Sequence, residues 1–154
     1  MAEVKGENRS NIDAEPSVKI DSALNKARVR MIYDKYTSVG VLAIGDDILM
    51  GEEIPAGAKI LDVWVKHDDF GTTGDFDIGY NASADGGEAE DEDAFFAALD
   101  VNAAAGHSKM SDTDATVAGL GKVLSEPVQA KIVPTEATTA TGADVEMWIL
   151  YTLD

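Results

Sequence analysis

The sequence predicts an all-β protein, an antiparallel β-sandwich of jelly-roll type with one short helix and a flexible N-terminal arm. Three observations carry this: short runs alternate apolar and polar residues with a period of two, turn-forming clusters separate them, and a single stretch has helical composition. At 154 residues and 45% hydrophobic content the chain can bury one core, and its length asks for no second domain.

Residues 1–27 are polar, without sustained periodicity, and read as an extended arm; residues 28–154 form the sandwich domain. RVRMIYDKY, from Arg28, places Val29, Met31 and Tyr33 on one face and Arg28, Arg30, Ile32 and Asp34 on the other. KILDVWVKH sets Leu61, Val63 and Val65 against Ile60, Asp62, Trp64 and Lys66. DFDIGY aligns Phe76, Ile78 and Tyr80, and VQAKIV aligns Val128, Ala130 and Ile132. DVEMWILYTLD closes the chain with Val145, Met147, Ile149 and Tyr151 on one side. Between these runs lie GDD at 45–47, IPAGA at 54–58, DDFGTTGD at 68–75 and TTATGAD at 138–144, all turn compositions. EDEDAFFAALDV, residues 90–101, is the helical candidate, with acids leading into an Ala-rich turn as a positive helix N-terminus prefers. From Asn102 to about Thr116 the composition reads as loop.

Charge excludes several functions. The formal net charge is −17. It is uneven, because residues 1–35 carry Lys5, Arg9, Lys19, Lys26, Arg28, Arg30 and Lys35, while the rest is strongly acidic. Such a field repels phosphate backbones and anionic lipid, so neither nucleic acid nor membrane is an expected partner. With no cysteine, disulfides, thiolate metal sites and a Cys nucleophile are out. The opening segment lacks the apolar region of a signal peptide, and no run is long enough to span a bilayer.

The acidic stretch DIGYNASADGGEAEDEDAFF, residues 77–96, is the one place where chemistry is suggested. Read from Asn81, it puts Asn81, Ser83, Asp85, Gly86 and Glu92 at the first, third, fifth, sixth and twelfth positions of a Ca²⁺ loop. It departs at the first position, which wants Asp, and at Glu88, where the template has an aliphatic residue. The entering element is also strand-like. Asn81, Asp85 and Glu92 are therefore weak metal candidates beside the plainer reading, a solvated acidic loop leading into a helix cap. No cofactor is required. A glycosidase-like carboxylate pair needs one acid confined in an apolar pocket, which this Gly- and Ala-rich loop does not offer. His67 and His107 lack ligand-spaced partners, and none of the common nucleophile, dinucleotide or phosphate-loop motifs occurs.

The last strand is apolar on both sides, since Trp148 and Leu150 lie opposite the Met147 face, and Trp64 shares its face with Asp62 and Lys66. A sandwich layer buries one face only, so Trp64, Trp148 and Leu150 are candidates for a subunit interface, burial within the monomer being the alternative.

RVRMIYDKYT, GDDILMGEEIPAGAKILDVWV, TTGDFDIGYNASADGGEAEDEDAFFAALDV and GADVEMWILYTLD together resemble the small decoration or cement proteins of tailed-bacteriophage heads. The resemblance implies a jelly-roll sandwich, a place on the capsid surface of the virion, no enzymatic activity, the major capsid protein as partner and a homo-oligomer, most often a trimer. Residues 1–27 lie outside it. Together with the start of the first strand they hold the candidate capsid contacts Arg9, Lys19, Lys26, Arg28 and Arg30. A head-fibre or tail-associated component, and a calcium-assisted carbohydrate-binding jelly roll using residues 81–92, are the alternatives.

Overall fold

The computed structural model describes residues 28–102, 104–112 and 118–153. Their strands are β1 (Val29–Thr37), β2 (Ile48–Ile54), β3 (Lys59–His67), β4 (Asp75–Tyr80), β5 (Asp91–Asp100), β6 (Gly106–Lys109), β7 (Val128–Pro134) and β8 (Asp144–Thr152). They build two four-stranded antiparallel sheets, β1-β8-β3-β6 and β2-β7-β4-β5. Among the described residues a 3-10 turn at Met110–Asp112 follows β6. The predicted arm, with Arg9, Lys19 and Lys26, lies outside the described residues. Among the described residues no helix is long and apolar enough to cross a membrane.

The period-two pattern decides what is buried. Val145, Met147, Ile149 and Tyr151 of β8, with Ile60, Val63 and Val65 of β3, form the inner face of the first sheet. Met50, Phe76, Ile78, Tyr80, Val128, Ala130 and Ile132 answer from the second sheet. Phe70 stacks edge-on against Phe76 at 5.0 Å between ring centroids, closing one end of the core.

The predicted helix at 90–101 is strand β5. Helical composition loses because pairing with β4 buries Ala94, Phe95 and Phe96 together, and strand preference follows burial more than intrinsic propensity. Register shifts on either side of Ile78 let adjacent Phe95 and Phe96 both turn inward. β3 also departs from strict alternation: a register shift between Ile60 and Asp62 moves Ile60 to the buried side, with Val63 and Val65, and leaves Leu61 half-buried. β2 and β6 are strands that the sequence alternation does not mark, β6 lying inside the expected loop. On β1 the Val29, Met31 and Tyr33 face is the outward one, while Ile32 and Tyr36 pack on the core.

Candidate interaction surface

The outer face of the first sheet is an aromatic surface bordered by charge. Strand register places Tyr33 of β1 beside Trp148 of β8, Trp148 beside Trp64 of β3, and Trp64 beside Lys109 of β6. The Tyr33 and Trp148 rings lie 5.2 Å apart, and the Lys109 ammonium sits 5.3 Å from the Trp64 ring. One row along, Met31 pairs with Leu150, and Val29 pairs with Thr152. Val29, Met31, Tyr33 and Trp64 are all exposed, Met31 by 59%, although each is large and apolar. Met31, Trp64, Trp148, Lys66, His107 and Lys109 line a groove of about 360 Å³ in this face.

A charged row borders the aromatics. Glu146 accepts from Lys66 at 2.7 Å and from the Tyr33 hydroxyl at 2.9 Å, and Lys35 pairs with Asp144 at 2.5 Å. The Lys66 bond first, then Tyr33, holds the Glu146 carboxyl below its ordinary range, and the shared Glu146 bond raises Tyr33. Asp62 accepts from Trp64 Nε1 at 2.6 Å and from Ser111 Oγ at 3.0 Å, which fixes the indole edge. With its polar edge satisfied this way, the indole adds ring carbon to a groove whose lining is chiefly apolar between Lys66, His107 and Lys109. That suits packing against another apolar surface.

The structure thus brings Trp64, Trp148 and Leu150 onto one outward face: Trp64 is 38% exposed and the other two are half-buried. Arg28 and Arg30 are both exposed at the start of β1, the edge strand beside that face. Period-two reading found the two tryptophans and Leu150. It did not join Met31 and Tyr33 to them, because the β1–β8 register is a long-range fact.

The calcium-loop candidates fare differently. Glu92 does not point into its loop; its carboxylate takes the Lys131 ammonium at 2.8 Å, with Asp47 at 3.1 Å and Glu90 as the other partners. Asn81 donates its backbone N–H to Gln129, and Asp85 is exposed at the turn. Strands, not helices, flank the loop. Among the described residues no group of three or more acidic, histidine or cysteine side chains is arranged to hold a metal ion. The stretch expected to be a solvated loop capping a helix is instead partly internal, and Glu88 shows how. Its carboxylate accepts from the Ser125 backbone N–H at 2.7 Å, the Ser125 hydroxyl at 2.8 Å and Lys122 at 3.0 Å. The Ser125 amide above all, with Lys122 and the hydroxyl, pulls the carboxyl below its ordinary range against the opposing effect of burial.

A depressed carboxylate stabilises the fold above its unfolded pKa and loses that contribution as pH falls through its folded one. Glu88→Gln is therefore expected to lower unfolding free energy by about 1.5–3 kcal/mol at neutral pH, the worth of a hydrogen bond to a charged group. The deficit should fade as both proteins are taken below the carboxylate range. Urea titrations at stepped pH check this; a deficit that stays constant into strong acid would mean the loss is one of packing, not charge.

No protein-family model and no curated protein matches this chain. Among solved structures it is similar to a chain of the cyanophage Pam1 capsid asymmetric unit, with 18% identity, 83% of this chain and 86% of that chain covered, and a TM-score of 0.61. It is similar also to a chain of the capsid of Ralstonia phage GP4, with 20% identity, coverage of 82% and 85%, and a TM-score of 0.66. A β-sandwich of this shape, matched over most of both chains, is thus a fold found in two phage capsid structures.

Proposed function

We propose that this protein is a non-enzymatic structural component of a bacteriophage virion, decorating or cementing the capsid as a symmetric oligomer, a trimer, seated on the major capsid protein. The observation that carries the reading is the fold shared with chains of two phage capsid structures over more than four-fifths of this chain. The strand orders 1-8-3-6 and 2-7-4-5 support a jelly roll in the strict sense, its connections passing between the sheets. The solvent-facing Trp64, Trp148 and Leu150 surface supports self-association. A repeated weak contact made by several linked subunits gains strongly over one subunit's affinity, which is the physical advantage of an oligomer on a shell. Capsid contact is assigned to the arm and its approach to β1, through Arg9, Lys19, Lys26, Arg28 and Arg30.

Engagement of Glu92 by Lys131 weighs against the calcium-assisted carbohydrate-binding alternative, which needs that carboxylate on a cation. Head-fibre and tail placement share the same fold support and are separated by experiment. The full chain, mixed with purified heads and separately with purified tails of its own phage, each lacking this protein, is run through a density gradient. Co-sedimentation with heads is expected. Arg9→Glu, Lys19→Glu and Lys26→Glu combined should weaken it by about ten-fold or more, as loss of charge contacts at an interface does. A wild-type chain that stays at the top while heads sediment sinks the reading, and sedimentation with tails alone moves the protein there.

A further inference from the structure

The β1–β2 connection, residues 38–47, is a second apolar surface, and it has the opposite shape to the groove. Val39 is 90% exposed, Val41 66% and Ile44 69%. Exposed apolar side chains usually ride on loosely held backbone, yet this segment is pinned along its length. Ser38 donates its N–H to Ala143 at 2.8 Å and accepts from Gly142 at 2.7 Å. Leu42 is buried and bonds Thr138 in both directions, and Gly45 donates to Pro134 at 3.0 Å. Asp46 closes the turn by accepting from Ala43 N–H at 2.8 Å. The result is a rigid knob that holds three aliphatic side chains in water, an arrangement suited to binding because little ordering entropy is left to lose on contact.

Charge complements shape. The groove on the outer face of the first sheet is floored by Trp64 and Trp148 and rimmed by Lys66, Lys109 and His107. Lys109 is exposed and lies against the Trp64 ring. Lys66 is already paired with Glu146 and Asp62 holds the Trp64 edge, which leaves Lys109, seated on the Trp64 ring, as the cation that an acidic partner surface would meet on a chain of net charge −17. The knob ends in Asp46 and Asp47, both exposed; Asp47 serves as a counter-ion of Lys131, and Asp46 faces solvent.

We propose that knob and groove are the two halves of one contact between copies of this chain: Val39, Val41 and Ile44 of one copy seat on the Trp64–Trp148 groove of the next, with Asp46 toward Lys109. Two different patches then meet at every interface, which makes the contact head-to-tail and lets it close into a ring of three without a two-fold axis. This rests on the oligomeric part of the function proposed above and specifies which surfaces build it.

Light scattering on three proteins and one mixture tests it. The knob variant carries Val39→Asp and Ile44→Asp; the groove variant carries Trp64→Glu and Lys109→Glu. All four positions are exposed, and thermal melts verify folding. Wild type is expected to be a closed oligomer, and each variant alone a monomer, its association weakened about 100-fold or more as expected when interface anchors are lost. An equimolar mixture of the two variants should form a dimer and nothing larger, because one intact groove and one intact knob remain between them. Should either variant unfold, Lys109→Glu alone and Ile44→Ser alone replace it, each expected to weaken association about ten-fold. A knob variant that keeps the wild-type mass overturns the proposal, as does a mixture of folded variants that stays monomeric. Wild type that is monomeric but still sediments with heads would end this proposal and leave the virion assignment standing. The expected assembly behaviour without head binding would do the reverse.

Discussion

Replacing Lys131 by Met is expected to lower unfolding free energy by about 3 kcal/mol and the melting temperature by roughly 8–10 °C. Lys131 projects from the outer side of β7 yet is 1% exposed, covered by the chain that carries Asp47, Glu90 and Glu92. Those three acids are about half exposed, so water already screens them, which places the cost at the lower end for a broken buried ion cluster. Met fills the space of the aliphatic stem, so the loss is chiefly electrostatic: three carboxylates converge with no cation between them. Adding Glu90→Gln and Glu92→Gln to Lys131→Met should recover much of the stability, and the single variant's deficit should narrow in acid as the acids are neutralised. Burial works to lower the Lys131 pKa, but the bonds to Glu90, Glu92 and Asp47 outweigh it and hold the group above the ordinary lysine value. Stability from a raised lysine is complete below its unfolded pKa and is lost only as pH rises through the folded one. The wild type should accordingly show no loss from this group until strongly alkaline solution. Calorimetry across pH reads all of this. A Lys131→Met protein that melts with the wild type would mean the acids are content in water and the cluster holds nothing together.

The same cluster marks where sequence reading reached its limit. Within the run 77–96, acids spaced like a cation loop and Ala-rich composition suggested a solvated loop and a helix, because both inferences use only neighbours in the chain. The deciding partner, Lys131, lies 39 residues beyond Glu92 and joins it only once β4, β5 and β7 are aligned. Alternation served better where one strand carries its own evidence. β8 places Val145, Met147, Ile149 and Tyr151 inward and Trp148 outward with no register shift against β1, so its two-sided apolar character was readable and pointed to the exposed face. β3 was half readable, since the irregularity at Ile60 and Asp62 breaks the period that the reading assumes. The knob at Val39, Val41 and Ile44 gave no warning: VGVLAIG is apolar throughout, with no alternation to tell a buried side chain from an exposed one, and only hydrogen bonds to residues near 138–143 show that Leu42 alone turns in.

Gly79→Ala is expected to cost about 3–5 kcal/mol, more than any exposed substitution on this chain. Gly79 faces outward on β4, directly across from Lys131, and the start of β5 passes over it. A Cβ there would sit 1.9 Å from the Asp91 carbonyl oxygen and 2.7 Å from the Glu92 carbonyl carbon. Both obstacles are backbone, so no side chain can swing aside, and β5 itself would have to lift. Lifting it withdraws Glu90 and Glu92 from Lys131, so overpacking and loss of counter-ions come from a single methyl group. That shared cause gives the variant a second signature. Gly79→Ala and Lys131→Met should be strongly sub-additive, since once β5 has lifted there is less charge cluster left for the second change to break, whereas unlinked sites would add to within about 0.5 kcal/mol. Urea unfolding of the two singles and the double measures the coupling; full additivity would show that β5 accommodates the methyl group without leaving Lys131. Because β4 and β5 belong to the second sheet, on the opposite side of the sandwich from the Trp64–Trp148 groove, molecules of the Gly79→Ala protein that remain folded in the cold should still offer an intact groove and bind the knob of the Trp64→Glu, Lys109→Glu variant.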